Sequence, residues 1–210
     1  MIAGGGGDYF AGTTPPMPGT QRRGVHNRMR VLSMALIAWM AHPAAHGNES
    51  RQKLTVCLRV DAVERRMITP RAQELAARMF ADIGISLEWM AWERACEASP
   101  APIFIEVRSG APEKYRLDAL GYAVPYRSHI TVFLDRIETM ESPAIVLAHV
   151  MVHEITHVVQ GVCRHSETGL MKAHWGRNDL LEMRHRPLPF AREDLILFQS
   201  GLATRELVAR

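Results

Sequence analysis

The sequence predicts one α+β domain over residues 48–210. Three patterns predict this fold class: short segments of alternating apolar residues, an amphipathic helical stripe among them, and a long helix near residue 150 that is apolar on almost every side. The chain has 210 residues, of which 47% are hydrophobic and 22% are charged, enough for one hydrophobic core. A wholly disordered or fibrous chain is therefore excluded.

The first strand and the first helix follow each other closely in the sequence. Apolar and polar residues alternate from Leu54 to Val60, which is typical of a strand with one buried face. Thr69 is predicted to cap the helix and Pro70 to be its first residue. The apolar stripe that follows ends at Gly84 and consists of Ala72, Leu75, Ala76, Met79, Phe80 and Ile83.

Four more extended segments complete the predicted sheet. They are Ile85–Trp89, Ile103–Val107, Leu120–Val124 and Ile130–Leu134. The stretch from Ala91 to Pro102 is predicted to be a loop. Beyond Asp135 we expect helices to the end of the chain, with a loop around Gly161–Trp175.

The first quarter of the chain is not expected to belong to the domain. Residues 1–28 are rich in Gly and Pro, so we interpret them as a disordered tail or an over-called start. Residues 29–47 resemble a secretory signal peptide, in which Arg30 precedes an apolar run and small residues follow. The run Val31–Ala41 is too short for the roughly 20 residues of a stable membrane span. We therefore expect a secreted, periplasmic or cell-envelope protein.

The charge balance does not indicate a nucleic-acid partner. There are 25 basic and 22 acidic residues, which give a formal net charge of +3. Nucleic-acid-binding proteins typically show a basic stripe, which this near-balance does not provide. Nothing in the composition indicates an oligomeric state.

The chemistry-bearing residues lie on the long apolar helix. Ser142 and Pro143 mark its start, and Gly161 marks its end. A helix that is apolar on nearly every side is buried, and each unpaired polar group in it costs about 1–3 kcal/mol. This helix nevertheless carries four polar side chains that can bind a metal or transfer a proton: His149, His153, Glu154 and His157.

The segment His153-Glu154-Ile155-Thr156-His157 matches a zinc-binding motif. The spacing of four places both imidazoles on one helical face, where they can bind the same zinc ion. Glu154 then lies beside the metal, where it can accept a proton from a zinc-activated water that attacks a carbonyl. We interpret His149, one turn earlier, as a core residue or a support for the site.

With the residues that follow it, this motif resembles the metzincin clan of zinc peptidases, and its matrixin-like branch in particular. His165-Ser166 is similar to the third zinc ligand of that branch and the serine after it. Gly169-Leu170-Met171 is similar to its methionine turn, which implies that Met171 lies beneath the metal. His153 and Met171 are 18 positions apart, as in matrixins.

The spacer to the third ligand is longer than in the family. Metzincins place a glycine three residues and the third histidine six residues after the second histidine. In this chain Gly161 follows His157 by four residues and His165 follows it by eight. The zinc motif and the methionine turn therefore match the family, whereas the positions of the glycine and of the third histidine between them differ from it.

Two other residues compete with His165 for the role of third ligand. Cys163 stands at the usual third-ligand position, and a thiolate binds zinc well. Glu167 is a further alternative, as a carboxylate ligand. We favour His165 because Ser166 and the methionine turn follow it.

The resemblance also implies a fold and a substrate class. The fold is a small mixed, twisted sheet packed on the active-site helix, with C-terminal helices after it. Leu120–Pro125 is similar to the matrixin edge strand that pairs with a bound peptide. The expected partner is a peptide or protein substrate.

Three cysteines are too few for a disulfide-stabilised scaffold. In an exported protein they allow at most one bridge within the chain and leave one thiol. We expect that bridge, if it forms, to join Cys57 to Cys96 and to leave Cys163.

Two functions fit these patterns. The first is a zinc-dependent endopeptidase in which His153, His157 and His165 bind the metal and Glu154 acts as general base and then acid. The second is a non-catalytic, zinc-stabilised binding module of the cell envelope, with Cys163 as a fourth ligand. Glu154 favours the first function, because a purely structural zinc site does not need an acid at that position.

Overall fold

The computed structural model describes residues 52–61, 67–110 and 118–208, except for the side chains of Tyr126 and Val208. The predicted tail at 1–28 and signal peptide at 29–47 lie outside the described residues, as does the predicted start of the domain at residue 48. No helix in the described ranges is both long enough and apolar enough to cross a membrane.

Strands dominate the first half of the described chain and helices the second. The strands are β1 (Gln52–Val60), β2 (Ile85–Ala91), β3 (Ile103–Arg108), β4 (Gly121–Val124) and β5 (His129–Phe133). The helices are α1 (Ile68–Ala81), α2 (Arg94–Glu97), α3 (Leu134–Ile137), α4 (Pro143–Gln160), α5 (Arg177–Met183) and α6 (Arg192–Val208). A 3₁₀ turn at Pro125–Arg127 joins β4 to β5.

The strands form one mixed sheet in the order β2-β1-β3-β5-β4. β1 pairs in parallel with β2 and β3, and β3 pairs in parallel with β5. β4 runs antiparallel to β5 and is an edge strand. The predicted α+β fold, with a small mixed sheet packed on the long apolar helix, is confirmed, and the antiparallel edge of the sheet lies next to α4.

The main core lies between one face of the sheet and the helices α1 and α4. The two helices contact each other and share a hydrophobic cluster with the sheet, in which Val56, Phe80 and Leu147 are fully buried. Every residue from Val146 to Val159 is buried. α4 is thus the enclosed helix that the sequence predicts, and its polar side chains need partners inside the protein.

The opposite face of the sheet is largely polar. Arg59 on β1 pairs with Glu106 on β3, as expected for side chains that alternate away from the core. The short helix α2 lies against β1, where Cys57 and Cys96 form a disulfide with Cα atoms 5.7 Å apart. The expected bridge is therefore present, and Cys163 is free and exposed.

The predicted start of α1 is wrong by a small amount. The helix begins at Ile68, with Met67 as its N-cap residue and no capping by a side chain. Thr69 is not the N-cap residue because it lies within the helix, one residue after Ile68. Pro70 is tolerated because the first turn of a helix does not use its backbone N–H groups.

Two other predicted boundaries also differ from the structure. Leu134, predicted to end the fifth strand, begins α3, while the N–H of Phe133 donates to the carbonyl of Leu120 at 2.8 Å. Leu134 is 1% exposed, so the alternation identified a buried side chain but not its backbone conformation. The predicted loop from Ala91 to Pro102 contains α2, which is only four residues long.

A close approach between α4 and α6 depends on one glycine. A methyl carbon at Gly201 would lie 1.9 Å from the carbonyl oxygen of Val159, well inside van der Waals contact. α6 therefore rests directly on the backbone of α4 near its C-terminal end.

We expect Gly201→Ala to lower the free energy of unfolding by roughly 1–3 kcal/mol or more, because the added methyl group must push the two helices apart. Thermal and urea unfolding of the purified protein measure this change. Gly110→Ala is the matched control, because a methyl group at Gly110 meets no atom of the described residues within 4 Å. Equal destabilisation by both substitutions would show that the helix crossing does not require glycine.

Candidate metal centre

Helix α4 presents two imidazoles side by side in the buried interior. His153 donates from Nδ1 to the carbonyl oxygen of Leu170 at 2.9 Å, and His157 donates from Nδ1 to that of Val162 at 3.0 Å. These bonds assign the ring proton of each histidine to Nδ1, so each Nε2 carries a lone pair. The two Nε2 atoms are 3.0 Å apart.

This arrangement fits a shared metal ion. Two lone pairs that face each other at 3.0 Å repel unless a cation or proton lies between them. Tetrahedral zinc with Zn–N bonds of 2.0–2.1 Å separates two nitrogen ligands by about 3.3 Å. The pair therefore needs only a small adjustment to hold zinc, and each Nδ1–H already has the backbone acceptor that orients a metal-binding histidine.

The loop after α4 brings His165 to the same point. Its ring centroid lies 5.4 Å from that of His153 and 4.9 Å from that of His157. One nitrogen from each of the three rings lies within 4.8 Å of the other two, so the group could hold a metal ion. In the described part of the chain, this group includes neither Cys163 nor Glu167, which are both exposed.

Burial keeps the two helical histidines neutral, which is the form that binds metals. Burial is the main cause that lowers the pKa of His153 to about 3, and the neighbouring His157 lowers it further. Burial likewise lowers the pKa of His157 to about 4. Both rings therefore have a free Nε2 lone pair at neutral pH.

Glu154 lines the same cleft as His153 and His165. It is 7% exposed, and burial raises the pKa of its carboxyl to about 8. A cation held by the three imidazoles would oppose that rise, because a nearby positive charge favours the carboxylate. A methyl carbon at Gly121 would lie 3.3 Å from Glu154 Oε1, so the edge strand β4 passes close to this carboxyl group.

The metal group opens into a cleft of about 480 Å³. Residues 118–121 line one side of it, and residues 172–175, just after Met171, line another. The remaining lining residues are Met140, Val150, His153, Glu154, His165 and Leu180. The cleft thus combines His153, His165 and Glu154 with a mostly apolar wall.

The turn at Gly169–Met171 is held by backbone contacts. Gly169 has a φ of +74°, and a methyl carbon there would lie 2.2 Å from the carbonyl oxygen of Pro189. The N–H of Leu170 donates to that same oxygen at 2.8 Å, and the N–H of Ser166 donates to the carbonyl of Met171 at 2.8 Å. Met171 itself is fully buried, and its position beneath a metal remains a prediction.

His149 belongs to the core. Its Nδ1 donates to the carbonyl oxygen of Ile145 at 2.8 Å, and its Nε2 accepts the N–H of Leu188 at 3.2 Å. Both ring nitrogens are therefore used in bonds to the backbone. Of the two interpretations offered by the sequence, the core role agrees with these contacts.

Sequence reasoning missed two residues that contact the site or its loop. Trp175 donates from Nε1 to the carbonyl oxygen of Leu170 at 3.2 Å and sets its ring edge-on to His153 at 5.5 Å. Asp194, from α6, accepts a hydrogen bond from Ser166 Oγ at 2.6 Å. Neither residue lies in a recognisable motif, and Asp194 is 29 positions beyond His165.

No protein-family model and no curated protein matches this sequence. Among solved structures, archaemetzincin from Methanopyrus kandleri is similar, with 14% identity, a TM-score of 0.49, and coverage of 72% of this chain and 96% of that chain. A zinc-dependent peptidase from Methanocorpusculum labreanum (strain Z) is similar, with 15% identity, a TM-score of 0.46, and coverage of 68% and 99%.

We expect the protein to bind one zinc ion through the three histidines. Zinc at about one hundred times its Kd stabilises a folded protein by about 2.7 kcal/mol, so the melting temperature rises when zinc is added. His165→Ala removes most of that rise, whereas Cys163→Ser retains it, because Cys163 lies outside the group. Thermal unfolding with and without zinc, together with metal analysis, measures both effects. Zinc binding that survives His165→Ala and is lost in Cys163→Ser would assign the third ligand to the cysteine.

Proposed function

We propose that this protein is a zinc-dependent metallopeptidase. The observation that carries the proposal is the placement of a buried carboxyl group, Glu154, beside three imidazoles whose ring nitrogens lie within 4.8 Å of one another. A purely structural zinc site has no need of that acid. His153, His165 and Glu154 also line an open cleft, as the residues of a site that admits a substrate must.

The chain supplies the groups that peptide hydrolysis requires. When bound, zinc lowers the pKa of water toward about 7 and polarises a carbonyl group. Glu154 accepts a proton from the water that attacks the peptide carbonyl and then donates it to the departing amine. The carbonyls of Leu170 and Val162 hold His153 and His157 in the tautomer that leaves Nε2 available.

The edge strand β4 supports a peptide as the substrate. Among the described residues it pairs with β5 on one side only, and Gly121 at its start lines the cleft near Glu154. An extended peptide that adds to the free edge forms backbone hydrogen bonds along its length. Such binding engages residues on both sides of the cleaved bond, which favours an endopeptidase.

We further propose a metzincin-like site with a lengthened spacer. The chain reverses after α4 at Gly161, whose φ is +69°. It then returns His165 to the two helical histidines despite the longer spacer. In this proposal His153, His157 and His165 are the zinc ligands and Met171 lies in the methionine turn.

The disulfide supports the proposal that the protein acts outside the cytoplasm. Disulfides such as Cys57–Cys96 persist in oxidising compartments and are rare in reducing ones. Together with the signal-like residues 29–47, this bridge favours a secreted, periplasmic or envelope location.

We expect Glu154→Gln to retain zinc and to cleave peptides about 10²- to 10⁴-fold more slowly, because glutamine keeps the shape of the side chain but accepts no proton. Cleavage of a mixed peptide library by zinc-loaded protein, followed by mass spectrometry, measures the loss. Glu193→Gln is the matched control, since Glu193 is exposed on α6.

Equal cleavage by Glu154→Gln and the parent would contradict the peptidase proposal, as would a parent that binds no zinc. Zinc binding without cleavage of any peptide would instead support the non-catalytic binding module of the cell envelope.

A further inference from the structure

The carboxyl group of Asp194 is buried and has no part in the proposed hydrolysis. It is 1% exposed and lies in the first turn of α6. Its Oδ2 accepts the backbone N–H of Ala191 at 3.2 Å, as the acid of a capping box does. Its Oδ1 faces the loop that follows α4.

This second oxygen contacts residues on both sides of His165. It accepts the hydroxyl of Ser166 at 2.6 Å and lies 3.3 Å from a guanidinium nitrogen of Arg164. Arg164 also donates to the carbonyl oxygen of His165 at 3.1 Å and to Ser166 Oγ at 3.2 Å. One buried oxygen therefore contacts the side chains on both sides of the third histidine, and Arg164 links it to the backbone carbonyl of His165.

The same residue is joined to α4. Gln160, the last residue of that helix, donates from Nε2 to the backbone carbonyl of Asp194 at 2.9 Å. Asp194 thus connects the end of α4, the loop and the start of α6. These contacts fix the loop relative to the helix that carries His153 and His157.

His165 needs such support more than the other two histidines do. His153 and His157 are buried within α4, whereas His165 is exposed on an irregular loop. Packing therefore constrains His165 less, and its position depends more on the hydrogen bonds that fix its backbone. Charge-assisted bonds to a buried carboxylate are strong and directional enough to supply that constraint.

We propose that Asp194 is a positioning residue that acts through Ser166 and Arg164 to hold His165 where it completes the metal group. The inference rests on the proposed metal centre and not on peptide hydrolysis. Removal of a residue that orients a metal ligand typically costs about 10- to 100-fold in metal affinity.

The two oxygens of Asp194 have different partners: Oδ1 binds the loop that carries His165, and Oδ2 caps α6. Variants can therefore test the contact with the loop separately from the cap. Ser166→Ala removes a bond to Oδ1 and leaves the contact between Oδ2 and Ala191. Ser166→Thr keeps the hydroxyl group. Asp194→Asn retains an oxygen and the shape of the side chain but removes the negative charge. Thr168→Ala, at an exposed position of the same loop, is the matched control.

The experiment measures zinc affinity of the full chain by competition with a chelator, without any peptide. The visible spectrum of the cobalt(II) form reports the ligand geometry, and the melting temperature of the metal-free protein reports stability separately. We expect Ser166→Ala and Asp194→Asn to weaken zinc binding by about 10- to 100-fold and to alter the cobalt spectrum. Ser166→Thr and Thr168→Ala should resemble the parent.

A Ser166→Ala protein with parental zinc affinity and cobalt spectrum would overturn the inference, even if its metal-free form melted earlier, because the network would then serve stability alone. The Ser166→Ala result tests the inference without relying on Asp194→Asn, which also disturbs α6. The zinc-affinity measurement uses no peptide, so its result can be interpreted even if the peptidase proposal fails.

Discussion

Two hydrogen bonds determine the geometry on which the candidate site depends. They run from Nδ1 of His153 to the carbonyl of Leu170 and from Nδ1 of His157 to the carbonyl of Val162. Each satisfies a donor inside an otherwise apolar helix, where an unpaired group costs about 1–3 kcal/mol. Each also turns a free nitrogen toward the same point. Because both acceptors belong to the segment after α4, the path of that segment and the positions of the imidazoles constrain each other.

The rest of the fold encloses and supports this arrangement. α1 and the sheet bury α4, which lowers the pKa of both helical histidines and raises that of Glu154. The edge strand β4 approaches Glu154 through Gly121, so the sheet provides both the core and one side of the cleft. α6 rests on the backbone of α4 and carries Asp194 to the loop that holds His165. Stability and site geometry therefore depend on the same contacts.

The periodic spacing of apolar residues is sufficient to predict most helices and strands, because an element with one buried face has apolar residues at the positions that face the core. One example is the first strand, in which Leu54, Val56 and Leu58 occupy alternate positions. Another is the long helix, in which most residues around His153 are apolar. Boundaries such as Leu134 were missed because a buried side chain occurs in either conformation. Asp194 and Trp175 were missed because their partners are distant in sequence or lie in irregular loops, where no periodicity marks them. The motif indicates His153 and His157 as candidate ligands, and the family resemblance alone indicates His165 as the third.

The contact at Gly201 has an evolutionary consequence. The residues that form the metal group all lie within one short segment, and a chain could retain that segment while losing the helix that supports it. The 1.9 Å separation between Val159 O and a methyl carbon at position 201 excludes any side chain there unless the helices move apart. Glycine at position 201 thus indicates how the last helix packs. A chain that has both the histidine motif and this glycine can pack its last helix against the motif-bearing helix in the same way. A chain with a larger residue there has to seat its last helix farther from the backbone of the motif-bearing helix.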